Sequence, residues 1–326
     1  VGSLWDKHFR VNGREYEMGQ HGFARDMDFR LVSEREDEMW FELKSSPETL
    51  AKYPYEFTLS IGYRLEAHKI HVMWEVSGDD SQTMWFQIGA HPAFYLPRFV
   101  YGGSSCVSGS DSGAGSCALG SECSVVRDSQ DSGLKSSAQG SGCVSSDGSA
   151  SGSCDSRLDS AIGSDSGSGS AGSGSDSDSG CAGRGYFRLY GRGAEGVVPL
   201  ESFRYIKVSE KQCTDISDVQ ELATPGGVMP LDDHTFDIGA YIIGDSQVCR
   251  VDLVSTTGLR CVSLEFDTPL VGLWAPSAKD VPFVCIEPWY GRCDRVGFTG
   301  EFSERDCVNS LSPGQVFRAS YTITVG

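Results

Sequence analysis

Basic residues are scarce in this chain of 326 residues: 27 Lys plus Arg stand against 45 Asp plus Glu, a formal net charge of −18. A surface this acidic repels nucleic acid and anionic membranes, so neither is expected as a partner. Long apolar runs are missing too. No segment approaches the ~20 consecutive apolar residues of a membrane-spanning helix, which points to a cytoplasmic protein. The short motifs of several chemistries are also absent: there is no GxSxG elbow, HExxH, P-loop or GxGxxG opening a helix. No cofactor is therefore implied. No cysteines and histidines stand at metal-ligand spacing, so no metal site is expected.

Aromatic residues disappear altogether between Tyr101 and Tyr186. Over residues 102–183 the text is Ser, Gly and scattered Asp. Such a composition buries too little apolar surface to offset an ordering cost of about 1–2 kcal/mol per residue. This stretch is expected to be a disordered, acidic insertion. It carries six of the 12 cysteines, Cys106, Cys117, Cys123, Cys143, Cys154 and Cys181, none paired as C-x-x-C. The other six, Cys213, Cys249, Cys261, Cys285, Cys293 and Cys307, sit singly in strand-like text and are expected to be buried reduced thiols.

The flanking blocks, residues 1–101 and 184–326, both read as β. In YPYEFTLSIGYRL the residues Tyr55, Phe57, Leu59, Ile61 and Tyr63 alternate with Glu56, Thr58, Ser60 and Gly62, the period of a half-buried strand. After a turn at 66–69, Ile70, Val72, Trp74 and Val76 repeat the pattern. CRVDLVSTTGLRCVSLEFD reads strand, turn, strand, and FVCIEPWY and FRASYTITV read as two more strands. No long segment has a period of 3.6. The expectation is one all-β antiparallel sandwich, its two halves interrupted by the insertion.

Among the six histidines, His21 (GQHGFARDMDF) and His91 (IGAHPAFYLP) sit beside Gly and Pro at strand ends, where a ring can line a cleft. Each is either a hydrogen-bonded structural histidine or an acid–base group. Glu287 closes the apolar run Phe283–Ile286 before Pro288. It is either a desolvated carboxylate with a raised pKa or a salt-bridge partner of Arg292 or Arg295. Acid–base chemistry without a cofactor in a β-sandwich suits sugars. Trp74, Trp85, Trp274 and Trp289 are available to stack on a pyranose or to fill the core. A glycoside hydrolase ranks lower, because it would usually need two carboxylates flanking one bond, about 5–10 Å apart, and only one good candidate is visible.

The segments HGFARDMDF, YPYEFTLSIGYRL, IGAHPAFYLP and FVCIEPWYGRCDR…GEF, in that order, resemble the aldose 1-epimerase (galactose mutarotase-like) family, its bacterial branch in particular. The resemblance implies an antiparallel β-supersandwich that interconverts the α and β anomers of a hexose or hexose phosphate. It also implies roles: His91 as general acid, Glu287 as general base, and His21, Arg25, Asp237, Trp289 and Arg292 holding the sugar. Asp233 is a second candidate for the acidic grip. The partner implied is a small sugar or sugar phosphate. The alternative is a non-catalytic carbohydrate-binding or sensing protein on the same scaffold. The opening VGSLWDKHF corresponds to the interior of the family pattern, and the Ser/Gly insertion is foreign to it.

Overall fold

In the computed structural model, residues 1–79, 81–96, 183–276 and 282–326 are described. Nearly all of the insertion expected over 102–183 lies outside them. Their architecture is two large antiparallel sheets plus two short two-stranded pairings, the hairpin His8–Val11 with Arg14–Glu17 and the long-range pair Met84–Phe86 with Asn309–Leu311. One helix is longer than a single turn, Pro47–Lys52, started by a Ser46–Thr49 capping box. Among the described residues no helix is long and apolar enough to cross a membrane.

The larger sheet runs, from one edge to the other, Gly196–Pro199, Gly185–Gly193, Arg250–Val254, Arg260–Phe266, Val316–Val325, Lys69–Gly78, Phe57–Glu66, Glu38–Lys44 and Arg30–Glu34. Val228–Leu231 also pairs with Gly185–Gly193. The smaller sheet runs Thr214–Ala223, Ser202–Val208, Tyr241–Ile243, Leu270–Trp274 and Phe283–Tyr290. The short strands Ile88–Gly89 and Ala93–Tyr95 both pair with the last of these. The two blocks of sequence are interleaved: Lys69–Gly78 pairs with Val316–Val325, and residues 88–95 pair with the Glu287 strand. The all-β expectation is met.

The period-2 readings translate directly into burial. Val72, Trp74 and Val76 are buried while their neighbours are less so, because successive side chains of a strand point to opposite faces. The strand Phe57–Glu66 departs from its expected alternation. Gly62 is buried and Tyr63 exposed. The Trp40 indole lies over Gly62, so close that a Cβ there would meet it at 2.6 Å.

The main core joins Phe187, Leu189, Leu253 and Leu264 of the larger sheet to Ile243, Leu273, Val284 and Ile286 of the smaller one. Truncating a fully buried Phe such as Phe187 in this setting costs about 3–5 kcal/mol. On the Glu287 strand the core thus takes Val284 and Ile286. Alternation sends Cys285, Glu287 and Trp289 to the opposite face, where Trp289 packs with Ile242, Leu270 and Cys293. That second face carries the candidate residue Glu287. Five of the described cysteines are buried as expected; Cys307 is exposed.

Candidate active site

Register assembles the site. Gly89 lies opposite Trp289, and Ala93 lies opposite Cys285. The two short strands keep one register across the break at Ala90–Pro92, so His91 falls across from Glu287. Cross-strand partners share a face, and the side chains meet: His91 Nε2 is 3.5 Å from Glu287 Oε1. His91 is 42 % exposed while the Glu287 side chain is 3 % exposed, so His91 is the member of the pair that faces solvent.

Burial pushes the Glu287 carboxyl well above the usual carboxylate range, and a hydrogen bond donated by Trp289 opposes this in part. Two glycines admit that indole. A Cβ on Gly272, which is paired with Glu287, would sit 2.6 Å from the Trp289 ring, and a Cβ on Gly89 would be as close. The alternative reading of Glu287, a salt bridge with Arg292 or Arg295, is not what forms. Both arginines pair with Asp306, each at 2.7 Å.

His21 lies beside the pair, its ring centroid 5.6 Å from that of His91 in an edge-on arrangement. The Gly2 N–H donates to His21 Nδ1 at 3.3 Å, and the His21 N–H donates back to the Gly2 carbonyl at 2.8 Å. These bonds hold His21 at a φ of 64°, a left-handed conformation rare outside glycine. An Nδ1 that accepts a hydrogen bond is unprotonated, so the neutral ring carries its proton on Nε2. Burial first, then the positive charges around it, His91 and Arg25 among them, push the His21 pKa down to about 4. His21 is therefore a neutral donor at working pH. The Trp274 ring stands edge-on to His91, 5.5 Å away, and forms one wall.

The remaining predicted residues divide. Arg25 is close enough to act electrostatically on His21 and is largely exposed beside Asp26. Trp289 touches Glu287, as above. Asp237 pairs with His234 at 2.7 Å, both exposed, in the loop that also holds Asp233; its partner is not His91 or Glu287. Arg292 is buried and donates to Thr214 Oγ1 and Asp306 Oδ2, both at 2.7 Å. Its guanidinium is engaged by these two partners. Sequence reasoning missed two features. Gly272 carries no chemical signal, and Cys285, read as an inert core thiol, shares the active face.

The arrangement supplies a buried carboxylate of raised proton affinity, an imidazole in contact with it, and a neutral imidazole donor alongside. These three side chains lie on one face of an antiparallel β-sandwich. Comparison with known proteins bears on the family and the fold. Residues 3–105 match the profile of the aldose 1-epimerase family. The chromosomal LacX protein of Lactococcus lactis is 37 % identical over 93 residues, 27 % of this chain and 31 % of LacX. The chain thus spans about a third of the length of that curated relative. Among solved structures, a galactose mutarotase related enzyme from Lactobacillus acidophilus superposes with a TM-score of 0.66 at 22 % identity, covering 100 % of this chain and 80 % of that one. A galactose mutarotase-like protein from Lactobacillus casei gives 0.65 at 20 % identity, covering 100 % and 82 %. Profile, relative and structures together support the aldose 1-epimerase family.

Proposed function

We propose that the chain catalyses interconversion of the α and β anomers of a hexose or hexose phosphate by cofactor-free acid–base chemistry. The observation that carries this reading is the direct contact of His91 Nε2 with the buried Glu287 Oε1, flanked by the neutral donor His21. A hemiacetal entering between the pair replaces that contact with two others. Glu287 takes the proton of the anomeric O1 hydroxyl, and His91, as imidazolium, protonates the ring oxygen O5. The C1–O5 bond breaks to give the open-chain aldehyde. Rotation about C1–C2 presents the other carbonyl face, and the groups exchange roles as the ring recloses.

O1 and O5 are bonded to the same carbon, so acid and base must be near neighbours, and the cross-strand register makes them so. Burial of Glu287 suits this task. A carboxylate with raised proton affinity is a better base than an exposed one. Nε2–H of His21 and the guanidinium of Arg25 orient the ring through its hydroxyls or phosphate, which supplies proximity.

The test is polarimetry on freshly dissolved α-glucose, α-galactose and glucose 6-phosphate. At least one should relax to its equilibrium rotation faster with protein than without. A protein that binds one of these sugars yet leaves every relaxation rate unchanged would instead be a non-catalytic sugar receptor.

A further inference from the structure

Metal-ligand spacing is absent from the sequence, yet the fold builds a ligand set. Within the acid–base site, one donor atom each from His91, Cys285 and Glu287 lie within 4.8 Å of one another. Cys285 and Glu287 are two residues apart on one strand and share its face, and His91 comes from the facing strand. Cys285 lies directly opposite Ala93, and its side chain is buried. The thiol contributes nothing to the sugar chemistry proposed above.

We infer that His91, Cys285 and Glu287 form a binding site for a borderline divalent transition metal, zinc above all, and that the metal switches the sugar chemistry off. The donor set is one nitrogen, one sulfur and one oxygen, which zinc accepts and which hard ions such as magnesium do not favour. Size agrees as well. Bonds of about 2.0–2.3 Å in a tetrahedron place neighbouring ligand atoms roughly 3.3–3.8 Å apart. The His91–Glu287 separation of 3.5 Å is already in that interval. The thiol needs to close by no more than about an ångström, a rotamer adjustment.

Coordination releases the thiol proton, and any proton held by the Glu287 carboxyl or the His91 ring nitrogen that binds, to solvent, and the charge of the ion compensates for the buried thiolate and carboxylate. Three protein ligands leave a fourth tetrahedral position for water. Once bound, the metal occupies the lone pair of His91 and the carboxylate oxygen of Glu287. Neither group can then shuttle a proton, so a sugar and the ion exclude each other. The inhibitory consequence rests on the proposed function; the coordination does not.

The experiment is titration of the full chain with Co²⁺ alone, read by absorption, followed by displacement with Zn²⁺. The expected result is a near-ultraviolet thiolate-to-cobalt charge-transfer band together with the visible bands of tetrahedral cobalt, both erased by zinc. Cys285→Ser and His91→Asn should each weaken this binding by at least about tenfold, while Cys307→Ser leaves it unchanged. Cys285→Ser should also keep basal anomer exchange and lose its sensitivity to zinc. A charge-transfer band of unchanged amplitude in Cys285→Ser, or no band in the wild type, overturns the inference. His91 is half exposed, so His91→Asn keeps the test decisive if the buried serine disturbs folding. Cobalt spectra report coordination whether or not the protein turns over a sugar. Metal binding without anomerase activity would count against the proposed function only; activity without metal binding would count against the site only.

Discussion

Glu287 combines two properties that ordinarily conflict: it is a carboxylate, and it is almost fully buried. Burial raises its proton affinity, so the folded protein retains a proton that the unfolded chain has already released. The folded state then binds more protons than the unfolded one, and this group's effect on stability becomes less favourable as pH rises above the ordinary carboxylate value. Glu287→Gln removes that liability. Its melting temperature should exceed that of the wild type by a margin that grows as pH rises above the ordinary carboxylate value; a margin that shrinks with pH would contradict the assignment. His21 behaves in the opposite sense along the pH axis. Its pKa falls from 6.5 to about 4 on folding, so the stability tied to its neutral form is present above 6.5 and is lost as pH drops towards 4. With His21 proposed to donate a hydrogen bond without exchanging protons with substrate, His21→Asn should raise KM about tenfold or more and spare kcat. Steady-state kinetics on the preferred sugar checks this, and a kcat loss larger than that of His91→Asn would reverse the two roles.

At the scale of elements, the strand Phe283–Tyr290 separates the core from the candidate site by alternation alone: Val284 and Ile286 feed the core, while Cys285, Glu287 and Trp289 take the other face. Behind it, Asp294 and Arg305 form an ion pair buried on both sides. Asp294 also accepts from the Trp5 N–H and donates its own N–H to the Ser3 carbonyl. This clamps the segment whose Gly2 holds His21. Removing one partner of such a pair leaves an uncompensated buried charge, at a cost of about 3–5 kcal/mol. Asp294→Asn should therefore lower the denaturation midpoint strongly and, where the variant remains folded, raise KM more than it lowers kcat. A neutral effect on both would show that the clamp is not needed. These elements were unequally legible. The strand and Glu287 could be read from an apolar run ended by Pro288. The structural engagement of Arg292 could not, because its partners Thr214 and Asp306 are brought to it only by tertiary packing. Cys285 read as an ordinary core thiol because its nearness to His91 depends on the register between two distant stretches of chain. Trp40 covering Gly62 likewise defeated a simple alternation rule.

For the whole molecule, the sandwich was legible because period-2 patterning is local, whereas the interleaving of the two blocks in both sheets was not. Interleaving also bears on the long Ser/Gly stretch. The described chain breaks off at Leu96 and resumes at Gly183, and Arg184 Nη2 donates to the Leu96 carbonyl at 3.3 Å. The two ends are thus adjacent, and a short connection can join them. Reducing a loop from ~80 to ~10 residues is three doublings, worth about 2 kcal/mol in favour of the shorter loop. Replacing residues 102–181 by a short Gly/Ser linker should leave turnover unchanged and raise thermal stability slightly. Loss of turnover in a folded deletion variant would show that the segment covers or completes the site.

Magnetisation-exchange NMR between the α and β anomeric protons of the preferred sugar at equilibrium, with wild type, Glu287→Gln and His91→Asn at equal concentration, tests whether Glu287 and His91 act as an acid–base pair. Exchange at equilibrium isolates ring opening and closing from any net conversion. Accelerated exchange is expected with the wild type, and a reduction of about 10²–10⁴-fold in each variant, the usual contribution of a positioned acid or base. Exchange that is equally fast with Glu287→Gln would contradict the assignment of the buried carboxylate as the base.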